Sequence, residues 1–295
     1  MKYCASIESS PKVVFILIPG NPGNCELYLD FMHYLHNKYD RKVDIYSFSH
    51  LGHASPSSET YLLEDQVENS RQEIVRIKQE NKDANIYLFG HSLGGYIALR
   101  LESLADKVIL LFPAMDDLKN TKNAYEMWFL FTRLGLFMLA FITFITSYLP
   151  KTLRYHLIYF VEPKLTHDQA VIFNREWDPR IVYNTIGLTK DEFKIITPID
   201  LSKFERTSRN DSSLQHKSKK LIDKFYFLFT PFDGWCDIMT YRKFATKWPN
   251  KLIERGNLGI RESGGIYLTD AQIPHAFVLG YSMEVAEILC KIIPI

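Results

Sequence analysis

The chain has 295 residues and a formal net charge of +1, and 46% of its residues are hydrophobic. That is enough apolar material for a large core, which points to an α/β domain with insertions rather than a small stapled module. A charge balance this close to neutral argues against a nucleic-acid partner.

Cys4, Cys25, Cys236 and Cys290 are scattered with no C-x-x-C pair. They read as free thiols of a reducing compartment. The opening residues, MKYCASIE, contain no apolar signal core. The expected location is therefore the cytosol or a cytosolic face.

Val13 to Ile18 reads as a strand, and Val43 to Phe48 as the next. Leu62, Leu63, Val67, Ile74 and Ile77 share one face of a helix over 61–80. Ile86 to Phe89 is a strand followed by a helix through Leu104. Val108 to Phe112 is a strand ended by Pro113. This alternation predicts a mostly parallel sheet with helices on both faces. Residues 114–220 then read as helical, a domain-sized insertion. The sheet resumes at Phe225 to Phe229 and Ile266 to Leu268, and Met283 to Ile293 reads as a last helix. The predicted organisation is a core of 1–113 and 221–295 with a helical cap over 114–220.

The stretch Gly90-His91-Ser92-Leu93-Gly94 is a G-x-S-x-G pentapeptide between a strand and a helix. A nucleophile elbow needs that context, because its serine sits on a tight turn where flanking side chains would collide. A serine nucleophile needs a base, and the base needs an acid to orient it. Downstream histidines are His156, His167, His216 and His275, and only His275 follows the last predicted strand. Asp233 comes first in the loop after Phe225–Phe229, so it is the expected acid. Asp237 is the alternative, with a helix cap as its plainer role, and Asp116 and Asp117 occupy another possible acid position. The oxyanion hole is expected from the backbone N–H of Leu93 and that of Asn21, in the loop Pro19-Gly20-Asn21-Pro22-Gly23. His50 and His53 lack a neighbouring Cys, Asp or Glu cluster and read as a loop near the site rather than a ligand pair. No metal or cofactor is expected.

With LIPGNPG at 17–23, SHLGH at 49–53, GHSLGGY at 90–96, LLFP at 110–113 and IPHAFV at 273–278, the chain resembles the lipid droplet-associated hydrolase family. The resemblance implies an α/β-hydrolase fold. It also implies residence on lipid droplets and the endoplasmic reticulum, and hydrolysis of lipid esters such as sterol esters or triacylglycerol. By motif, Ser92 would be the nucleophile and His275 the base. Asp233-Gly234-Trp235 stands where the family usually has an Asp-Pro-Trp-like turn, and Asp237 where it often has proline, so the acid stays open between the two.

From Met127 to Leu149 the only charge is Arg133. A continuous helix of that length would reach the roughly 30 Å of a bilayer core. A single crossing would put Ser92 on one face of the membrane and Asp233 and His275 on the other. The segment is therefore expected not to span. It is read as an interfacial or re-entrant piece, bent at Gly135, or as a helix buried in the cap. Lys122, Lys151 and Arg154 flank it and suit headgroups. The leading expectation is a serine ester hydrolase acting on lipophilic esters at a lipid surface. The alternative is a non-catalytic droplet protein that keeps the hydrolase fold.

Overall fold

The computed structural model describes all residues except 9, 206–219, 255–257, 261, 262 and 271. The strands are β1 (Lys2–Cys4), β2 (Val13–Ile18), β3 (Asp44–Ser47), β4 (Asn85–His91), β5 (Lys107–Leu111), β6 (Phe225–Phe229), β7 (Leu252–Ile253) and β8 (Gly265–Leu268). They form one sheet in the order β1-β3-β2-β4-β5-β6-β8-β7. Among the described residues only the β1–β3 pairing is antiparallel.

The sequence of β2, VVFILI, explains why it is central. Val14, Ile16 and Ile18 point into one core and Val13, Phe15 and Leu17 into the other, so both faces are buried. Helices α1 (Leu29–Lys38) and α10 (Ser282–Ile292) cover one face through Phe31, Leu35, Val285 and Leu289. Helices α2 (Leu63–Glu80), α3 (Leu93–Arg100) and α9 (Ile238–Lys247) cover the other through Leu63, Val67, Ile74, Ile97 and Phe244. This is the α/β-hydrolase arrangement, a mostly parallel sheet with helices around it.

Between β5 and β6 the described residues are helical: α4 (Lys122–Glu126), α5 (Arg133–Ser147), α6 (Lys151–Val161), α7 (His167–Arg175) and α8 (Pro179–Ile195). His216 lies outside the described residues.

The greasy segment is not one helix. A single 3-10 turn over Trp128–Phe131 ends at Thr132, whose side chain accepts the Gly135 N–H at 2.9 Å and starts α5. The break thus falls at Thr132, not at Gly135. Gly135 instead sits inside the first turn, where a Cβ would run into the Phe129 carbonyl. Nor is α5 buried. Only Gly135, Ala140 and Thr143 are buried along its length, while Leu134, Phe137, Met138, Phe141, Ile142 and Ile145 are exposed. Among the described residues no helix is long and apolar enough to cross a membrane.

Candidate active site

Strand β4 ends at His91 and α3 begins at Leu93, so Ser92 is the whole connection. Its backbone has φ 52° and ψ −118°, a strained conformation for a residue with a Cβ. The turn holds because Ser92 N–H donates to Leu111 O at 3.0 Å, and Ser92 O accepts from Gly95 at 2.9 Å and Ala114 at 3.1 Å. A Cβ on Gly94 would lie 2.5 Å from Pro19 O, and one on Gly90 2.7 Å from Gly95 Cα. The two glycines of the pentapeptide are required by these close approaches.

The structure brings Ser92, His275 and Asp233 together. Ser92 Oγ lies 2.8 Å from His275 Nε2, and His275 Nδ1 lies 2.6 Å from Asp233 Oδ2. Asp233 follows β6 and is aimed by its own turn: its Oδ1 accepts the N–H groups of Trp235 at 2.7 Å and Cys236 at 2.9 Å. Asp237 is elsewhere engaged. It caps α9, accepting the Met239 N–H at 2.7 Å. Asp116 takes Lys243 at 2.6 Å and Thr240 at 3.0 Å, and Asp117 takes Asn120 at 2.9 Å. His156 lies on α6, and His167 on α7 bonds Tyr155 Oη at 2.6 Å.

Leu93 N–H heads α3 among its orphan donors. The loop carrying Asn21 packs directly on the elbow: a Cβ on Gly20 would lie 3.0 Å from Ser92 Cβ. The histidines of SHLGH brace that loop from behind. Gly23 N–H donates to His53 Nδ1 at 3.0 Å, and His50 N–H donates to Gly23 O at 2.8 Å. Burial holds both rings neutral, with pKa values lowered to about 4 for His50 and about 3 for His53. Among the described residues no three His, Cys, Asp or Glu side chains group as a metal site.

Sequence reasoning did not reach the network beneath the elbow. His91 Nε2–H donates to the backbone oxygen of His275 at 2.8 Å. Its Nδ1 therefore accepts from Tyr28 Oη at 2.6 Å, and Tyr28 Oη accepts the Gly20 N–H at 2.9 Å. Desolvation pushes the His91 pKa down to about 3, so the ring is neutral and this tautomer is the one that satisfies both nitrogens. His91 was visible inside the pentapeptide. Tyr28, an aromatic at a helix entry, carried no signal.

The helices between β5 and β6 grip the same loops. Gln169 of α7 donates to Leu27 O at 3.2 Å and Val278 O at 2.9 Å. The Asn21 amide donates to Thr185 O at 3.0 Å, Thr189 Oγ1 at 2.9 Å and Glu192 Oε1 at 2.9 Å, all on α8. Phe193 of α8 stacks on Trp235 in the loop that carries Asp233, and Phe131 packs on both rings. Beside Ser92 this leaves a partly open chamber of about 190 Å³, lined in part by Tyr28, Leu118, Phe173, Trp235 and Leu279. A second, open pocket of about 530 Å³ lies on the Asp233 side, past His275 and Ala276.

The model of the family described as lipid-droplet associated hydrolase matches residues 11–278. The lipid droplet-associated hydrolase of Mus musculus is 25% identical, over 96% of this chain and 85% of its own length. That of Dictyostelium discoideum is 23% identical, over 95% and 86%. Among solved structures, an α/β hydrolase fold protein from Burkholderia ambifaria has a TM-score of 0.55 at 13% identity, covering 97% of this chain and 90% of that one. MenH from S. aureus has a TM-score of 0.53 at 16% identity, covering 98% and 97%. With Ser92 on a tight strand-to-helix turn of a mostly parallel eight-stranded sheet and a family match running over residues 11–278, the chain belongs to the lipid-droplet associated hydrolase family, whose fold is that of the α/β hydrolases.

Proposed function

We propose that this hydrolase is a serine carboxylic ester hydrolase acting on lipophilic esters, such as sterol esters or acylglycerols, at a lipid droplet or endoplasmic reticulum surface. The observation that carries the reading is the unbroken line from Asp233 through His275 to Ser92, with hydrogen bonds of 2.6 and 2.8 Å. In this reading Ser92 Oγ attacks the ester carbonyl while its proton passes to His275 Nε2. The N–H groups of Asn21 and Leu93 stabilise the oxyanion. The tetrahedral species collapses, the leaving alkoxide takes the proton from His275, and an acyl-serine remains. Water, deprotonated by the same imidazole, attacks the acyl-serine and releases the acid. Asp233 holds Nδ1–H so that Nε2 faces the serine.

The surface reading rests on the exposed face of α5. Leu134, Phe137, Met138, Phe141, Ile142 and Ile145 recur at helical spacing, and each is 44% or more exposed. Lys122 and Lys151 are exposed and would then lie toward headgroups, whereas Arg154, expected there from the sequence, is buried and donates to Ser147 O at 2.9 Å and Asn174 Oδ1 at 3.1 Å. That same face favours a second reading, a droplet-binding protein that uses the fold without catalysis.

A fluorophosphonate probe separates the two. Wild-type protein that is labelled, with Ser92→Ala unlabelled and equally folded, supports the enzyme and opens a lipid-ester screen. A folded wild type that stays unlabelled in the presence of oil droplets sinks it and leaves the binding reading.

A further inference from the structure

The chamber beside Ser92 is mainly apolar; apart from Asn21, Tyr28, His91 and the Ser92–His275 pair, its polar lining comes from α8, which presents Thr189 and Glu192 one turn apart. Glu192 is only 4% exposed. Its Oε1 accepts from the Asn21 amide at 2.9 Å, and among the described residues no cation pairs with it. Burial, with Asp191 beside it, raises the Glu192 pKa to about 8. At neutral pH it is therefore mostly a carboxylic acid, able both to donate and to accept a hydrogen bond. As part of the chamber lining, it offers its remaining hydrogen-bonding capacity to what occupies that space.

Volume adds a second constraint. At about 190 Å³ the chamber is below the roughly 300 Å³ at which pockets begin to enclose drug-sized ligands. The chamber suits a small alcohol part, and the pocket of about 530 Å³ past His275 has room for a bulkier group.

We propose that Glu192 is a specificity-determining residue that hydrogen-bonds a free hydroxyl on the alcohol part of the substrate, so that the preferred substrates are partial esters of a polyol. The inference rests on the ester-hydrolase reading of Ser92. A fully esterified glyceride or a sterol ester offers no such hydroxyl and leaves Glu192 unpaired in the complex.

The test compares one medium-length acyl chain presented as its glycerol monoester and as its propyl ester, with enzyme concentration set by fluorophosphonate titration. Wild type should favour the glycerol ester by about tenfold or more in kcat/KM, the scale expected when a buried polar group loses its partner. Glu192→Leu should bring the ratio close to one. The ratio matters because loosening Asn21 slows both esters alike. Thr189→Val, which removes a different acceptor of the Asn21 amide, should slow both and keep the ratio. If Glu192→Leu does not fold, the wild-type ratio still decides. A titrated enzyme with a ratio near one overturns this inference alone, as does a Glu192→Leu enzyme that keeps the preference. Absence of any labelling at Ser92 overturns the hydrolase reading and this inference with it.

Discussion

Tyr28 Oη donates to His91 Nδ1 at 2.6 Å, and through that one contact three separate parts of the site are joined. Tyr28 also accepts the Gly20 N–H of the 19–23 loop, while His91 precedes Ser92 and holds the His275 carbonyl. Tyr28→Phe keeps the ring and removes the hydroxyl, leaving two buried polar groups unpaired. The expected cost is about 1–3 kcal/mol of stability. A fall of about tenfold or more in kcat with KM little changed is also expected, since the loop and His275 lose their common tie. Thermal melts and ester kinetics check both. A variant with wild-type kcat would show that the network only supports the fold.

The backbone of Ser92 gives a stability prediction that is separate from activity. At φ 52° a side chain is strained, and glycine is not. Ser92→Ala and Ser92→Gly should both be inactive. Ser92→Gly should nevertheless be more stable than Ser92→Ala by about 1 kcal/mol, apart from the entropy glycine adds to the unfolded chain. Denaturant unfolding of the two variants measures the difference, and Ala proving the more stable would contradict strain at this turn.

Asp233 and Asp237 make different contacts, the first with His275 and the second as the cap of α9. Asp233→Asn leaves the shape intact but disturbs the imidazole tautomer, and a loss of about 10⁴ in kcat is expected. Asp237→Asn retains a good N-cap, so activity and stability should stay within a few-fold and a few tenths of a kcal/mol. Asp237→Ala should cost about 1 kcal/mol of stability. Ester hydrolysis by the three variants decides which carboxylate serves His275.

The outer face of α5 predicts surface binding independent of the triad. Phe137 is 58% exposed and Phe141 52%, their rings stacked at 6.1 Å. If each inserts into lipid it contributes on the order of 1.5–3 kcal/mol. Phe137→Ser with Phe141→Ser should weaken flotation with phospholipid-coated oil droplets by about 100-fold or more and leave the melting temperature nearly unchanged. Unaltered flotation would place the lipid contact elsewhere.

The central sheet was legible because β2, β4, β5 and β6 are continuous apolar runs bounded by turn residues, and such runs have few other places to go. The edge strands were not. Three residues in β1 and two in β7 carry no periodicity and exist as strands only by pairing with β3 and β8. In the site, the positions of Ser92, His275 and Asp233 followed from chain order, since each ends or follows a sheet strand. Tyr28 and Glu192 were invisible, because their roles arise from contacts across 63 and 171 residues of sequence. The Thr132 break in the greasy segment was readable in principle from Thr-x-x-Gly at a helix start, but the continuous apolar composition around it masked the cap.

Glu192 also leaves a signature in stability against pH. Its folded pKa is raised to about 8 from an ordinary 4.5, chiefly by burial. Between those values the folded protein binds the proton and the unfolded chain does not, so this group costs stability increasingly as pH rises from about 4.5 to about 8. His91, lowered to about 3 by burial, acts in the opposite sense: its contribution is full above about 6.5 and is lost as pH falls toward 3. Glu192→Gln removes the first effect and keeps the second. The variant should therefore gain on wild type as pH rises from 4.5 to 8, while both lose stability in acid below about 6.5. Urea unfolding at pH 5, 6.5 and 8 gives the comparison. A difference between the two proteins that stays constant across this range would mean that Glu192 is ionised in the folded state, and the neutral carboxyl invoked at the chamber wall would be lost with it.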